Sequence, residues 1–140
     1  MATPVFVSFD WDNDRHYKFL LGAWHNHPRF RFTFQDETPG EIDTNNVGRI
    51  KAGLTTKIND ATHVLVIVGK HANEPHRKRH LIGHRNWINF EIHQAKQLRK
   101  TIVAVKIDRT YESPEELMNA GACWAMSFTE EAIVKALAEA

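Results

Sequence analysis

Glu91 follows Trp87 by four residues, so on a helix both side chains project from one side, beside an apolar stripe of Ile88, Ile92 and Ala95. A carboxylate at the margin of an apolar face loses part of its hydration, which raises its pKa. Such a group can stabilise positive charge developing in a reacting molecule or accept hydrogen bonds from hydroxyls. A glutamate on a solvent-facing helix surface would do neither, and spacing alone does not separate the two. Trp87 can wall a pocket or anchor its helix to a sheet.

A second set of candidates lies near the amino terminus. Phe6 and Ser8 share one side of a strand by the two-residue period. Phe6 there can stack on a ligand ring or pack in the core. Phe9 and Trp11, at the strand end, are better placed for stacking, and Asp10 and Asp12 can accept ligand hydrogen bonds or cap a helix. The third set is His76, His80 and His84, whose i, i+4, i+8 spacing on a helix can bind zinc. Within their stretch, residues 69–85, no acid or cysteine completes a metal set. The basic residues Lys70, Arg77, Lys78, Arg79 and Arg85 suit a cationic loop that attracts a pyrophosphate, or a plain solvated loop. No metal site is expected. His93, two residues after Glu91, points elsewhere on its helix.

The elements that must hold these residues follow from apolar period. Residues 5–9 read as a buried strand ending in the polar cluster 10–14, and Tyr17, Leu20, Leu21 and Trp24 mark one face of a helix. Residues 29–34 alternate as a half-buried strand, and 35–46, with Pro39-Gly40, read as a loop. Val47, Ile50, Leu54 and Ile58 define a second helix, and 63–68 is an aliphatic strand. A third helix begins at Trp87 and ends near Arg99-Lys100, where cations suit its carboxyl end. The strand 101–107 comes next. Ser113-Pro114-Glu115-Glu116 then signals a capped helix start, 123–128 a fifth strand, and Thr129-Glu130-Glu131 caps a last helix. Continuous apolar strands alternating with helices predict one α/β domain over residues 1–140: a flavodoxin-like, five-stranded, mostly parallel sheet covered on both faces. Ligands of such a sheet sit at the carboxyl ends of its strands.

Composition narrows the possibilities. With 140 residues, 42% hydrophobic and a net charge of +1, the chain has one core and no bulk field for nucleic acid or membrane. One cysteine, Cys123, excludes an internal disulfide and a cysteine zinc finger. The longest aliphatic run, residues 64–68, is far short of a membrane span, and no signal-peptide layout opens the chain, so a cytoplasmic protein is expected. Neither G-x-G-x-x-G after a strand nor G-x-x-x-x-G-K-[ST] occurs, which removes the Rossmann pyrophosphate loop and the P-loop. Gly69-Lys70 stands where a response-regulator receiver needs its phosphoacceptor aspartate.

Three segments, in order, resemble a known family. Val5-Phe6-Val7-Ser8-Phe9-Asp10 resembles the first-strand box of TIR domains, and residues 58–69 look like their second helix running into the third strand. Asn86-Trp87-Ile88-Asn89-Phe90-Glu91-Ile92 is similar to the W-x-x-x-E-[IL] helix of NAD-cleaving TIR domains. The resemblance covers residues 4–138 and is nearest to the TIR component of the bacterial Thoeris anti-phage system. It implies cleavage of NAD⁺, as substrate rather than cofactor, at the nicotinamide–ribose bond, with Glu91 catalytic and Phe6, Ser8, Phe9 and Asp10 near the pocket. Nicotinamide leaves as a neutral ring, so one carboxylate suffices where ordinary glycosidases use two. The resemblance further implies a cyclic ADP-ribose isomer as product, a separate effector protein that senses it, and a homo-oligomer on activation. Asp36 and Glu37 fall where TIR domains self-associate, or are solvated loop acids. The chain departs from the family in its Asp-rich first loop and its longer, more basic stretch 70–85. A non-enzymatic TIR-type interaction module is the alternative, and nucleic-acid binding through 70–85 is a weaker third.

Overall fold

The computed structural model describes residues 3–24 and 46–140, and the backbone of 32–35. In chain order its elements are β1 (Thr3–Ser8), α1 (Trp11–Trp24), β2 (Phe32–Gln35), α2 (Val47–Asp60), β3 (His63–Val68), α3 (Arg79–Ile82), α4 (Trp87–Gln97), β4 (Thr101–Lys106), a 3-10 turn (Glu115–Leu117), β5 (Cys123–Ala125) and α5 (Glu130–Glu139). The five strands form one sheet in the order β2-β1-β3-β4-β5, every neighbouring pair parallel.

The apolar strands are continuous because both faces of the sheet are covered. Successive side chains alternate sides, so Val64, Val66 and Val68 of β3 join one core while Leu65 and Ile67 join the other. The first core is closed by Ile50, Leu54 and Ile58 of α2 and by Ile88, Phe90 and Ile92 of α4. The second is closed by Leu21 of α1 and by Ile133 and Leu137 of α5. Each wholly buried Leu or Ile contributes about 1.5–3 kcal/mol. Asn46 and Thr129 cap α2 and α5 by accepting from the backbone N–H groups of Arg49 and Ala132.

Several expectations need correction. Of the α1 face Tyr17, Leu20, Leu21 and Trp24, Leu21 is buried and Tyr17 and Trp24 pack against the second core, but Leu20 is 44% exposed, and Asp14 and Lys18 are buried as well. Asp14 packs against Gly69 at the end of β3, and the Lys18 ammonium sits 5.8 Å from the rings of both Phe9 and Trp11. Tyr17 and Trp24 pack on Phe128 at the edge of the second core, with ring centroids 4.8 and 5.2 Å away. Ser113 caps no helix; its hydroxyl accepts from Lys106 Nζ, and only a single 3-10 turn follows Pro114. The fifth strand stops at Ala125. Of the strand expected over 29–34, residues 32–34 are in β2, which also takes in Gln35. Residues 29–31 and the loop positions 36–45, including Asp36 and Glu37, lie outside the described residues.

The order of strands reverses between β1 and β3, since the chain leaves β1 toward β2 and then crosses to β3 and β4. The carboxyl ends of these two strands diverge into separate connections, and the crevice between them is where an open α/β sheet binds ligands.

Candidate active site

That crevice is a cleft of about 420 Å³. Phe9, Asp10 and Trp11, just after β1, form one side, and the start of α4, with Trp87 and Ile88, forms another. Residues 74–78, from the connection after β3, close the third. The acidic strand end and the basic segment therefore share one cavity: Asp10 and Asp12 line it together with Arg77 and Lys78.

Asp10 also caps α1. Its Oδ1 accepts from the N–H of Asp12 at 3.1 Å and its Oδ2 from Asn13 Nδ2 at 2.7 Å. Phe9 and Trp11 lie 6.0 Å apart with their rings tilted at 51°. Trp87 takes both roles left open by the sequence: it lines the cleft, and it packs edge-on against buried Phe90 with centroids 5.7 Å apart.

Glu91 lies behind this wall, one turn further along α4 than Trp87. It is 1% exposed. Ser8, the last residue of β1 and itself wholly buried, donates its hydroxyl to Glu91 Oε1 at 2.5 Å. Oε2 is buried without a hydrogen-bond partner. Burial pushes the Glu91 carboxyl up to about 8, against the opposing effect of the Ser8 hydroxyl. Glu91 is thus not at the margin of an apolar face, as its spacing suggested, but fully inside, and it is protonated at neutral pH. Phe6 does not reach the cleft either: at 0% exposure it packs with Ile50, Leu54 and the valines of β3. Of the seven residues singled out in the sequence, Phe9, Asp10, Trp11 and Trp87 line the cleft, Ser8 and Glu91 are joined behind it, and Phe6 is core.

The segment 69–85 is not a loose loop. Asn86, which caps α4 by accepting from the N–H of Asn89, donates from Nδ2 to the carbonyls of Ala72 and Glu74. Arg85 Nε donates to the Asn73 carbonyl at 2.6 Å, and the His76 N–H to the Arg85 carbonyl at 2.8 Å. Buried Asn89 donates to Asn73 Oδ1 and Asn86 Oδ1 and accepts from the N–H of Glu116. This asparagine network fixes the basic rim of the cleft to the helix that carries Glu91. The alignment of His76, His80 and His84 on one helix face is overturned: α3 spans only Arg79–Ile82, and Gly83 ends it in a left-handed conformation (φ 82°). Asn86 was recognisable as a cap from its residue type, but Asn73 and Asn89 carry no local signal.

Asp14 is the other buried carboxyl near the cleft. Burial, reinforced by Asp10, raises it to about 6 against the opposing pull of His16 and His71, and its Oδ2 has no hydrogen-bond partner.

The geometry agrees with comparison to known proteins. The family model for the TIR-like domain of Thoeris protein ThsB matches residues 6–112, more than half of the chain. No curated protein matches the chain. Among the described residues no helix is long and apolar enough to cross a membrane.

Proposed function

The chain belongs to the Thoeris ThsB TIR-like domain family, and from that premise we propose that it cleaves the nicotinamide–ribose bond of NAD⁺ and releases a cyclic ADP-ribose isomer as an anti-phage defence signal. The observation that carries this reading is the Ser8–Glu91 pair directly behind a cleft walled by Phe9, Trp11 and Trp87. In the reaction the C–N glycosidic bond breaks and its electron pair goes to the pyridinium nitrogen, so nicotinamide leaves neutral. Positive charge gathers at the ribose anomeric centre, and the Glu91 carboxylate stabilises it. Attack on that centre by a group of the ADP-ribose itself, with loss of its proton, closes the ring; attack by water gives plain hydrolysis.

The raised pKa of Glu91 is compatible with this role. The nicotinamide ring of NAD⁺ is cationic, and a positive charge beside a buried carboxyl favours its ionised form. Ser8 holds Oε1, which leaves Oε2 free to accept from a ribose hydroxyl. Phe9, Trp11 and Trp87 offer faces for the nicotinamide or adenine ring, and Arg77 and Lys78 suit the pyrophosphate. Because Glu91 is closed off at 1% exposure, the wall between it and the cleft has to part for catalysis. Self-association on activation would supply that rearrangement, and a separate effector protein would then sense the product.

Incubation with NAD⁺, followed by chromatography and mass spectrometry, tests the reading. Nicotinamide and a cyclic ADP-ribose isomer are expected. Glu91→Gln should lose about 10²–10³ of the rate, the loss typical of a preorganised electrostatic group. Turnover by Glu91→Gln at the parent rate would remove the mechanism. The alternative, a non-enzymatic interaction module, draws on exposed Phe19 and Leu20 of α1. Intact NAD⁺ at high protein concentration, together with assembly seen by light scattering, is its signature.

A further inference from the structure

Behind α4, on the side away from Ser8, three side chains from separate elements converge. His84 follows the left-handed Gly83 that ends α3, His93 is in the middle of α4, and Glu116 belongs to the 3-10 turn. His84 Nδ1 and His93 Nδ1 lie 3.7 and 3.5 Å from Glu116 Oε1. Both separations exceed the 2.7–3.2 Å of a good hydrogen bond. They are close to the roughly 3.3–3.4 Å between two donors on a tetrahedral ion with bonds of about 2.0–2.1 Å. One donor atom from each residue lies within 4.8 Å of the other two.

The surroundings hold these groups in place. Lys96 Nζ binds Glu116 Oε2 at 2.5 Å and donates to the Glu116 carbonyl, so Oε1 is the oxygen turned to the imidazoles. The Glu116 N–H donates to buried Asn89, and His84 sits edge-on to Phe90 with centroids 5.9 Å apart. The three side chains are only 20–35% exposed, and His84 and Glu116 line a shallow hollow together with His80 and Glu115. Arg79 and Arg85 stand on its rim, so affinity for a cation comes from the ligands and not from the field.

We propose that His84, His93 and Glu116 form a binding site for a borderline divalent transition-metal ion such as Zn²⁺, outside the substrate cleft. Two imidazoles and one carboxylate suit such an ion better than Mg²⁺ or Ca²⁺, which favour all-oxygen sets. Three protein ligands leave a fourth position to water or to His80. Bound there, the ion clamps the turn between α3 and α4 to the 3-10 turn, and so braces α4 from behind.

The test is titration of the EDTA-stripped full chain with ZnCl₂ by calorimetry, alongside thermal melting. The chain should take up one equivalent in a discrete step and melt higher by mass action. His93→Ala and Glu116→Gln should each weaken that step by at least about 10–100-fold, the loss seen even for second-shell changes. Metal-free, both variants should melt near the parent, since all three side chains are partly exposed; His84→Gln is the substitute if either does not. The chain has nine histidines. A zinc step that persists undiminished in the variants belongs to other histidines and overturns the assignment, as does the absence of stoichiometric uptake by the parent. Neither readout depends on NAD⁺.

Discussion

Replacing Glu91 by Gln should change how stability depends on pH, and by an amount that follows from its burial. The carboxyl titrates at about 8 in the folded chain against 4.5 for the ordinary group. Between these values the unfolded chain has lost the proton that the folded chain keeps, so unfolding releases a proton and stability falls as pH rises. Each pH unit in that window costs about 1.4 kcal/mol, or about 3 kcal/mol from pH 5 to pH 7. Glutamine matches the protonated acid in shape and does not titrate. It leaves amide hydrogens unpaired where Oε2 has no partner, an offset of about 1–3 kcal/mol that does not vary with pH. The informative quantity is therefore the difference in pH slope rather than the stability at one pH. Asp14, raised to about 6, adds its own fall between 3.8 and 6, but equally in both proteins. Urea unfolding of parent and variant at pH 5, 6 and 7 measures the slopes. The parent should lose about 3 kcal/mol more than the variant over this range. Parallel slopes would mean that Glu91 is hydrated or ionised in the folded chain, and the account of a protonated buried acid would fail.

Two further outcomes follow from close contacts. Ser8→Ala removes the one hydroxyl that favours the Glu91 carboxylate. The acid limb of kcat/KM for NAD⁺ should move to higher pH with activity recovering there, whereas an unshifted profile would separate Ser8 from the titrating group. Gly69→Ala would drive a Cβ into the Asp14 carboxylate and should cost about 1–3 kcal/mol in urea unfolding. Combined with Asp14→Ala most of that cost should vanish, and strictly additive losses would show that the two residues do not meet.

Where a signal is local, the sequence carried it. The aliphatic runs of β3 and β4, the helix from Trp87, the cap at Thr129 and the parallel α/β class all depend on residues within a few positions of one another. Tyr17, Leu20, Leu21 and Trp24 show the limit of periodicity. Their spacing is helical, but α1 turns Asp14 and Lys18 inward because Gly69 and the Phe9–Trp11 pair make room for them. Similarly, the polar stretch 69–85 has no period, yet it is ordered by side-chain amides of α4 that no local pattern reveals.

The residue types alone established that a glutamate, a tryptophan and an aromatic, acidic strand end were available at the strand–helix junctions where such sheets bind ligands. Only tertiary structure decided what they are. It joined Ser8 to Glu91 across 83 residues and buried the acid completely, and it left Phe6 in the core. It also replaced an apparent row of histidines with His84, His93 and Glu116 from three separate elements. Strand and helix periods are set by neighbouring backbone dihedrals and can be read locally. Burial, and with it pKa and ligand geometry, depends on which distant elements pack together.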